Sequence, residues 1–271
     1  MLQIRLGYEL IFQCPQRTPM IMNLHIHHSR FNDLVRSDRM TTDPWVPLVS
    51  YHDGFGNLCT RLVAPVGRMR ITADALVKDH GLPEPVMLDA QEHAVENLPQ
   101  ETLVYLLGSR YCDTDNLSTV AWNLFGTTTA GWARVQSVCN FVNRHITFGY
   151  GFARPTRTAS EAFHEQRGVC RDYAHLAIAL CRCLNIPARY CTGYLGDIGV
   201  PPVDAPMDFA GWFEAYIGGT WHTFDARNNA PRMGRVLIAR GRDAADVAIS
   251  MTFGANVLEG FRVWAEEVNA A

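Results

Sequence analysis

Gly168-Val169-Cys170-Arg171-Asp172-Tyr173-Ala174-His175-Leu176 sets a cysteine between a glycine that ends one helix and the apolar run that forms the next. Ala174, Leu176, Ala177, Ile178, Ala179, Leu180, Cys181, Cys183 and Leu184 leave almost no polar face, the pattern of a buried central helix. Asn185 followed by Ile186-Pro187 stops it, because proline cannot extend the hydrogen-bond ladder and restricts the residue before it. A cysteine in the first turn of a helix meets unpaired backbone N–H groups and the positive end of the macrodipole, and both favour thiolate over thiol. The same amides suit an oxyanion formed when the thiolate attacks a carbonyl. Free cysteine is also a common small core residue. Cys170 is therefore singled out by this position and by Arg171, which adds positive charge nearby.

Upstream, Thr158 or Ser160 caps a short helix that ends at Gly168. Earlier still, Trp132, Val135, Val138, Cys139, Val142 and Ile146 recur at helical spacing, which assigns that tryptophan and thiol to the core. Downstream, a loop rich in glycine and proline (196–206) leads to a hairpin whose arms, Asp208 to Ile217 and Thr220 to Asp225, meet at Gly218-Gly219. A two-residue turn pairs Ile217 with Thr220, Ala215 with His222, Trp212 with Asp225 and Ala210 with Arg227. Ala210, Trp212 and Glu214 then share a face with Asp225 and Arg227, while His222 turns to the other face with Phe213 and Phe224. Val236 to Ala239 and Val247 to Ile249 supply further strands.

Residues 1–78 form an antiparallel β module: Leu2 to Phe12 and Met20 to Ile26 alternate, Asp53-Gly54 turns a hairpin between Val49 to Tyr51 and Leu58 to Val63, and Met69-Arg70-Ile71 continues the pattern. Residues 79–114, with Leu82-Pro83-Glu84-Pro85, are a linker with a short helix, and 115–271 are the core domain.

The 271 residues, 48% hydrophobic and 19% charged, suffice for a substantial core. A net charge of -3 and a pI of 6.4 give no footing for nucleic acid or an anionic membrane. No stretch reaches the roughly 20 apolar residues of a membrane span, and the start lacks a signal-peptide pattern, so a cytoplasmic location is expected. The eight cysteines form no CxxC pair and are read as thiols. His25 and His27 fall on one strand face without a third ligand, so they are read as surface residues, and neither a metal nor another cofactor is expected.

The blocks Gly168 to Leu176, Ile186-Pro187-Ala188-Arg189-Tyr190, Trp212 to Trp221 and Phe224-Asp225 resemble, in that order, the bacterial transglutaminase-like family, which is grouped with cysteine proteases. The resemblance runs over roughly residues 115 to 250, and the first strands resemble the β region that precedes such domains. It implies an α+β, papain-like core in which a helix-borne cysteine packs on an antiparallel sheet carrying a histidine and an aspartate. The cysteine maps to Cys170 and the aspartate to Asp225. The family's His-Ala-Trp reads Ala210-Gly211-Trp212 here, so the base is missing from its slot. His175, five residues after Cys170, sits roughly 140° around the helix from it and is a poor substitute. Glu214 and Arg227 complete the expected site lining. Two functions follow: a cysteine-nucleophile enzyme that cleaves or exchanges an amide bond of a peptide, protein or small amide through a Cys170 thioester, or a pseudoenzyme that only binds a peptide or protein.

Overall fold

In the computed structural model, which describes residues 2–268, most of the expected elements appear, in the expected order. β1 (Leu2–Cys14) buries Ile4, Leu6, Tyr8, Leu10 and Phe12 on one face. β2 (Thr18–Met22), β3 (Leu34–Arg36), β4 (Thr41–Asp43), β5 (Val49–His52), β6 (Leu58–Ala64) and β7 (Gly67–Asp79) follow. The expected linker carries 3-10 turns at Val95–Asn97, Gln100–Leu106 and Thr114–Asn116. Next come α1 (Ser118–Phe125), α2 (Trp132–His145), β8 (Thr147–Phe148), α3 (Ala159–Glu165), β9 (Arg167–Gly168) and α4 (Cys170–Cys183). The chain ends with β10 (Ala188–Tyr194), β11 (Ala210–Ile217), β12 (Thr220–Phe224), β13 (Val236–Gly241), β14 (Ser250–Thr252) and β15 (Val257–Val268).

The strands form three antiparallel sheets and one short parallel pair, β8 with β9. One sheet has the order β15-β1-β7-β3 with β4 also on β7, a second β14-β2-β6-β5, and the third β12-β11-β10-β13. α4 lies on the third sheet, with every residue from Asp172 to Arg182 buried. Its packed face meets Phe213, Ala215 and Ile217 of β11 within one apolar core that extends back to β1 and β7. Arg182 lies inside with Asp172 and His175, and its guanidinium donates to the carbonyls of Ala188, Leu107 and Arg242 and to Ser109 Oγ. Every donor direction of that planar group is thereby used, which lets an always-charged side chain sit in the core.

Three expectations change. The strand beginning at Thr18 ends at Met22, so His25 and His27 do not lie on a strand, and neither is a surface group. His27 is 2% exposed where its N–H donates to Leu237 O of β13, and burial pushes its imidazole down to about 3. His25 bonds Thr60 Oγ1 at 2.7 Å. The strand expected at 247–249 begins instead at Ser250. Finally β15, absent from the sequence reading, pairs along β1 from Gln3↔Val268 to Gln13↔Val257, while β14 pairs with β2. The end of the chain thus closes the sheets begun by its first residues, and the stretch 115–271 is not confined to the helix-and-sheet core. Only Val263 and Ala265 of β15 are buried, so the strand shows little apolar alternation to read.

Candidate active site

α4 starts where it does because of Asp172. Its Oδ2 accepts the Val169 N–H at 2.9 Å, closing the first turn, and pairs with Arg157 Nη1 at 2.9 Å. Asp172 is 1% and Arg157 3% exposed, so the ion pair is a buried one. A side chain at 168 would place its Cβ 2.6 Å from Asp172 Oδ2, which is why glycine precedes the helix. Arg171 donates to the carbonyls of Arg154 and Pro155 and stacks over Tyr111. It therefore anchors the preceding loop rather than serving the thiol. Before it, Thr158 caps α3 through a reciprocal pair with Glu161.

This framework leaves Cys170 half-buried at the floor of a cleft of about 940 Å³. The cleft runs between the start of α4, the start of β11, the loop before it and β15, whose Phe261 and Val263 join Phe209, Val247 and Ile249 in an apolar wall. Burial pushes the thiol up to about 11, although the Gly211 amide and Arg227 pull it down; Asp208 and Asp225 push the same way as burial. The expectation that the helix start would hold Cys170 as a thiolate is thus reversed at rest: loss of hydration and two carboxylates outweigh the favourable amides. Asp208 stands at the cleft mouth. Crowding by the walls raises its carboxyl above the usual range, against the pull of the Phe209 N–H.

The hairpin register is as expected wherever the strands pair, from Ile217↔Thr220 to Phe213↔Phe224. It stops there. Asp225 Oδ1 accepts the N–H groups of Arg227 and Asn228, and the chain turns away. Arg227 consequently does not stand across from Ala210. It lines the cleft with its guanidinium 4.1 Å from the Phe148 ring centroid. Asp225 Oδ2 receives Asn228 Nδ2 at 2.7 Å and Arg235 Nη2 at 3.0 Å. Burial alone would raise this carboxyl, but Arg235 and Asn228 hold it below its usual range. Ala210 lines the cleft with Cys170 and Asp225. Trp212 and Glu214 do not: Trp212 is buried against Cys191 and Leu237 under Arg235, and Glu214 pairs with Arg189 and Arg240.

Among the described residues no histidine lines the cleft. His175 is buried, stacked on Tyr111, and its Nε2 accepts the Ala244 N–H at 3.1 Å, while burial pushes it well below its usual range. His222 pairs with Ala215 and lies edge-on to Trp132, on the face foreseen. His145 is stacked on Phe141 and Phe163. Asp208, Asn228, Arg235 and Tyr190 are the polar neighbours that sequence reasoning missed. For Asn228 a signal was available in its place three residues after Asp225, within side-chain reach of a turn. No group of three or more metal-ligating side chains is found among the described residues.

A thiol at a helix start, packed on an antiparallel sheet whose hairpin bears an aspartate at the same cleft, defines a papain-like thiol fold. Residues 119–226 match the family described as the transglutaminase-like superfamily. The chain is also similar over its whole length to the crystal structure of a Cytophaga hutchinsonii protein named "Putative Cysteine Protease", at 29% identity and a TM-score of 0.85, covering 100% of this chain and 92% of that one. An uncharacterized protein of Mycobacterium leprae is 36% identical over 95 residues, a match that spans 32% of this chain and 32% of that relative's length. Among the described residues no helix is long and apolar enough to cross a membrane.

Proposed function

We propose that the chain is a cysteine-nucleophile enzyme that captures acyl groups from amides as a Cys170 thioester and passes them to water or an amine. The observation that carries this reading is the placement of Cys170 at the helix start, on the floor of a cleft with an apolar wall and a backbone amide, that of Gly211, acting on the sulfur. An amide with an apolar acyl side chain fits such a wall. Because the thiol rests protonated, its proton must leave as the sulfur attacks. Asp208, whose charge acts on Cys170 more strongly than that of Arg227 or Asp225, is the acceptor in this reading. The proton then returns to the departing nitrogen, so that amide and thiol give thioester and amine. Water or a second amine next releases the acyl group and restores the thiol.

Asp208→Asn tests the assignment because two reactions respond with opposite sign. Removing a like charge lowers the thiol's pKa, so alkylation of Cys170 by iodoacetamide at pH 8 is expected to quicken by roughly 2- to 10-fold. Cleavage of a p-nitroanilide, which needs the proton relay, is expected to slow by about 10²-fold. If both rates rise or both hold, Asp208 is not the proton carrier.

One observation favours a second reading. With no histidine in the cleft and Asp225 engaged by Arg235 and Asn228, the domain would bind a peptide or protein without turnover. Cleavage of a p-nitroanilide by the wild-type protein, lost in Cys170→Ala, would refute this alternative.

A further inference from the structure

The departure from His-Ala-Trp has two parts, and the second has a steric cause. Where the family pattern has alanine, this chain has Gly211. A Cβ built on Gly211 would overlap Tyr190 Oη and stand 3.1 Å from its Cζ. Tyr190 belongs to β10, two residues before Thr192, which pairs with Gly211, so the ring crosses toward Gly211 on the same face of the sheet. The ring is held against His175 with centroids 5.0 Å apart, and the residue is 5% exposed. Its hydroxyl oxygen is directed at Gly211. Tyr190 nevertheless lines the cleft with Cys170 and Gly211, and Cys170 is the ionisable group that acts on it most strongly. A hydroxyl on the cleft wall, in space cleared by the glycine whose amide acts on the nucleophile, is placed to donate to a ligand there.

We propose that Tyr190 is a catalytic residue of this site, its hydroxyl donating a hydrogen bond to the substrate's acyl oxygen as Cys170 attacks. This rests on the thioester reading above. As the S–C bond forms, the carbonyl π pair moves onto oxygen, and Tyr190 donates to that oxygen while keeping its own proton. On collapse the pair returns, the bond to the leaving group breaks, and the hydroxyl is left as it began. Burial raises the phenol well above its usual range, so it stays a neutral donor throughout.

The test compares two reactions of one thiol. Acylation of Cys170 by p-nitrophenyl acetate develops an oxyanion, whereas alkylation by iodoacetamide displaces iodide at a saturated carbon and develops none. In Tyr190→Phe, acylation is expected to fall about 10²-fold while alkylation stays within about twofold. Gly211→Ala displaces the hydroxyl without removing it. It should slow acylation in the wild-type background and add little in Tyr190→Phe, the non-additivity of two changes that act through one group. Unchanged acylation in Tyr190→Phe overturns the assignment. So does a parallel fall of both reactions, which reports a disturbed structure. If the wild-type protein alkylates but never acylates, the thioester reading itself fails, and this role fails with it.

Discussion

Ala210→His is expected to raise Cys170-dependent hydrolysis of p-nitrophenyl acetate by about 10²-fold or more, the ordinary worth of a placed general base. Position 210 opens β11 and lies in the cleft wall with Cys170 and Asp225. At rest the thiol is pushed up to about 11, so almost none is ionised near neutral pH, and the cation that acts on it, Arg227, cannot shuttle protons there. An imidazole titrating near 6.5 accepts the thiol proton at pH 7 and later activates the water that clears the thioester. Steady-state kinetics should show the gain together with an ascending limb between about pH 6 and 7 that the wild type lacks. A folded variant with unchanged rate and profile would remove position 210 from the site.

Asp172→Ala is expected to lower stability by about 1 to 3 kcal/mol, because it removes the one carboxylate that Arg157 Nη1 meets in the core. Arg157 is 3% exposed, and its remaining partners are Glu165 and the Phe152 carbonyl. The same substitution frees the Val169 N–H and unlatches the first turn of α4, which carries Cys170. Urea denaturation followed by circular dichroism gives the difference directly. A loss under about 1 kcal/mol would mean that the pair is not what sets the helix start. Gly168, Asp172 and Arg157 thus belong to the scaffold of the nucleophile, and that scaffold explains the two charged residues that follow the thiol in sequence, Arg171 and Asp172, without giving either a chemical task.

How much of this was legible beforehand follows from which signals are local. The α4 helix showed itself through an apolar run, its glycine and its proline stop, and the hairpin through two glycines with positive φ, Gly218 at 60° and Gly219 at 80°. Register followed from the turn alone and held to Phe213↔Phe224. It failed one residue later, because Asp225 turns its carboxylate back onto the amides of Arg227 and Asn228, an Asx-type turn that strand extrapolation cannot foresee. β15 went unread because its pairing partner is β1, at the far end of the sequence, and only two of its residues are buried. The thiol's resting state was misjudged for a related reason: the helix start is a local feature that favours thiolate, whereas the desolvation opposing it comes from walls assembled by distant segments. Asp208 and Tyr190 were likewise invisible, since only the folded chain brings them to Cys170.

The central claim is that Cys170 is the thiol that takes an acyl group. Cys183 is the other thiol that is not fully buried, and it donates to Thr114 O at 3.4 Å. Intact-mass spectrometry after brief exposure to p-nitrophenyl acetate, with peptide mapping of the adduct, tests the claim most directly. One acetyl group on Cys170, released by hydroxylamine as a thioester must be, and no adduct in Cys170→Ala are expected. Equal acetylation of wild type and Cys170→Ala, or an adduct mapped to Cys183 alone, would contradict it.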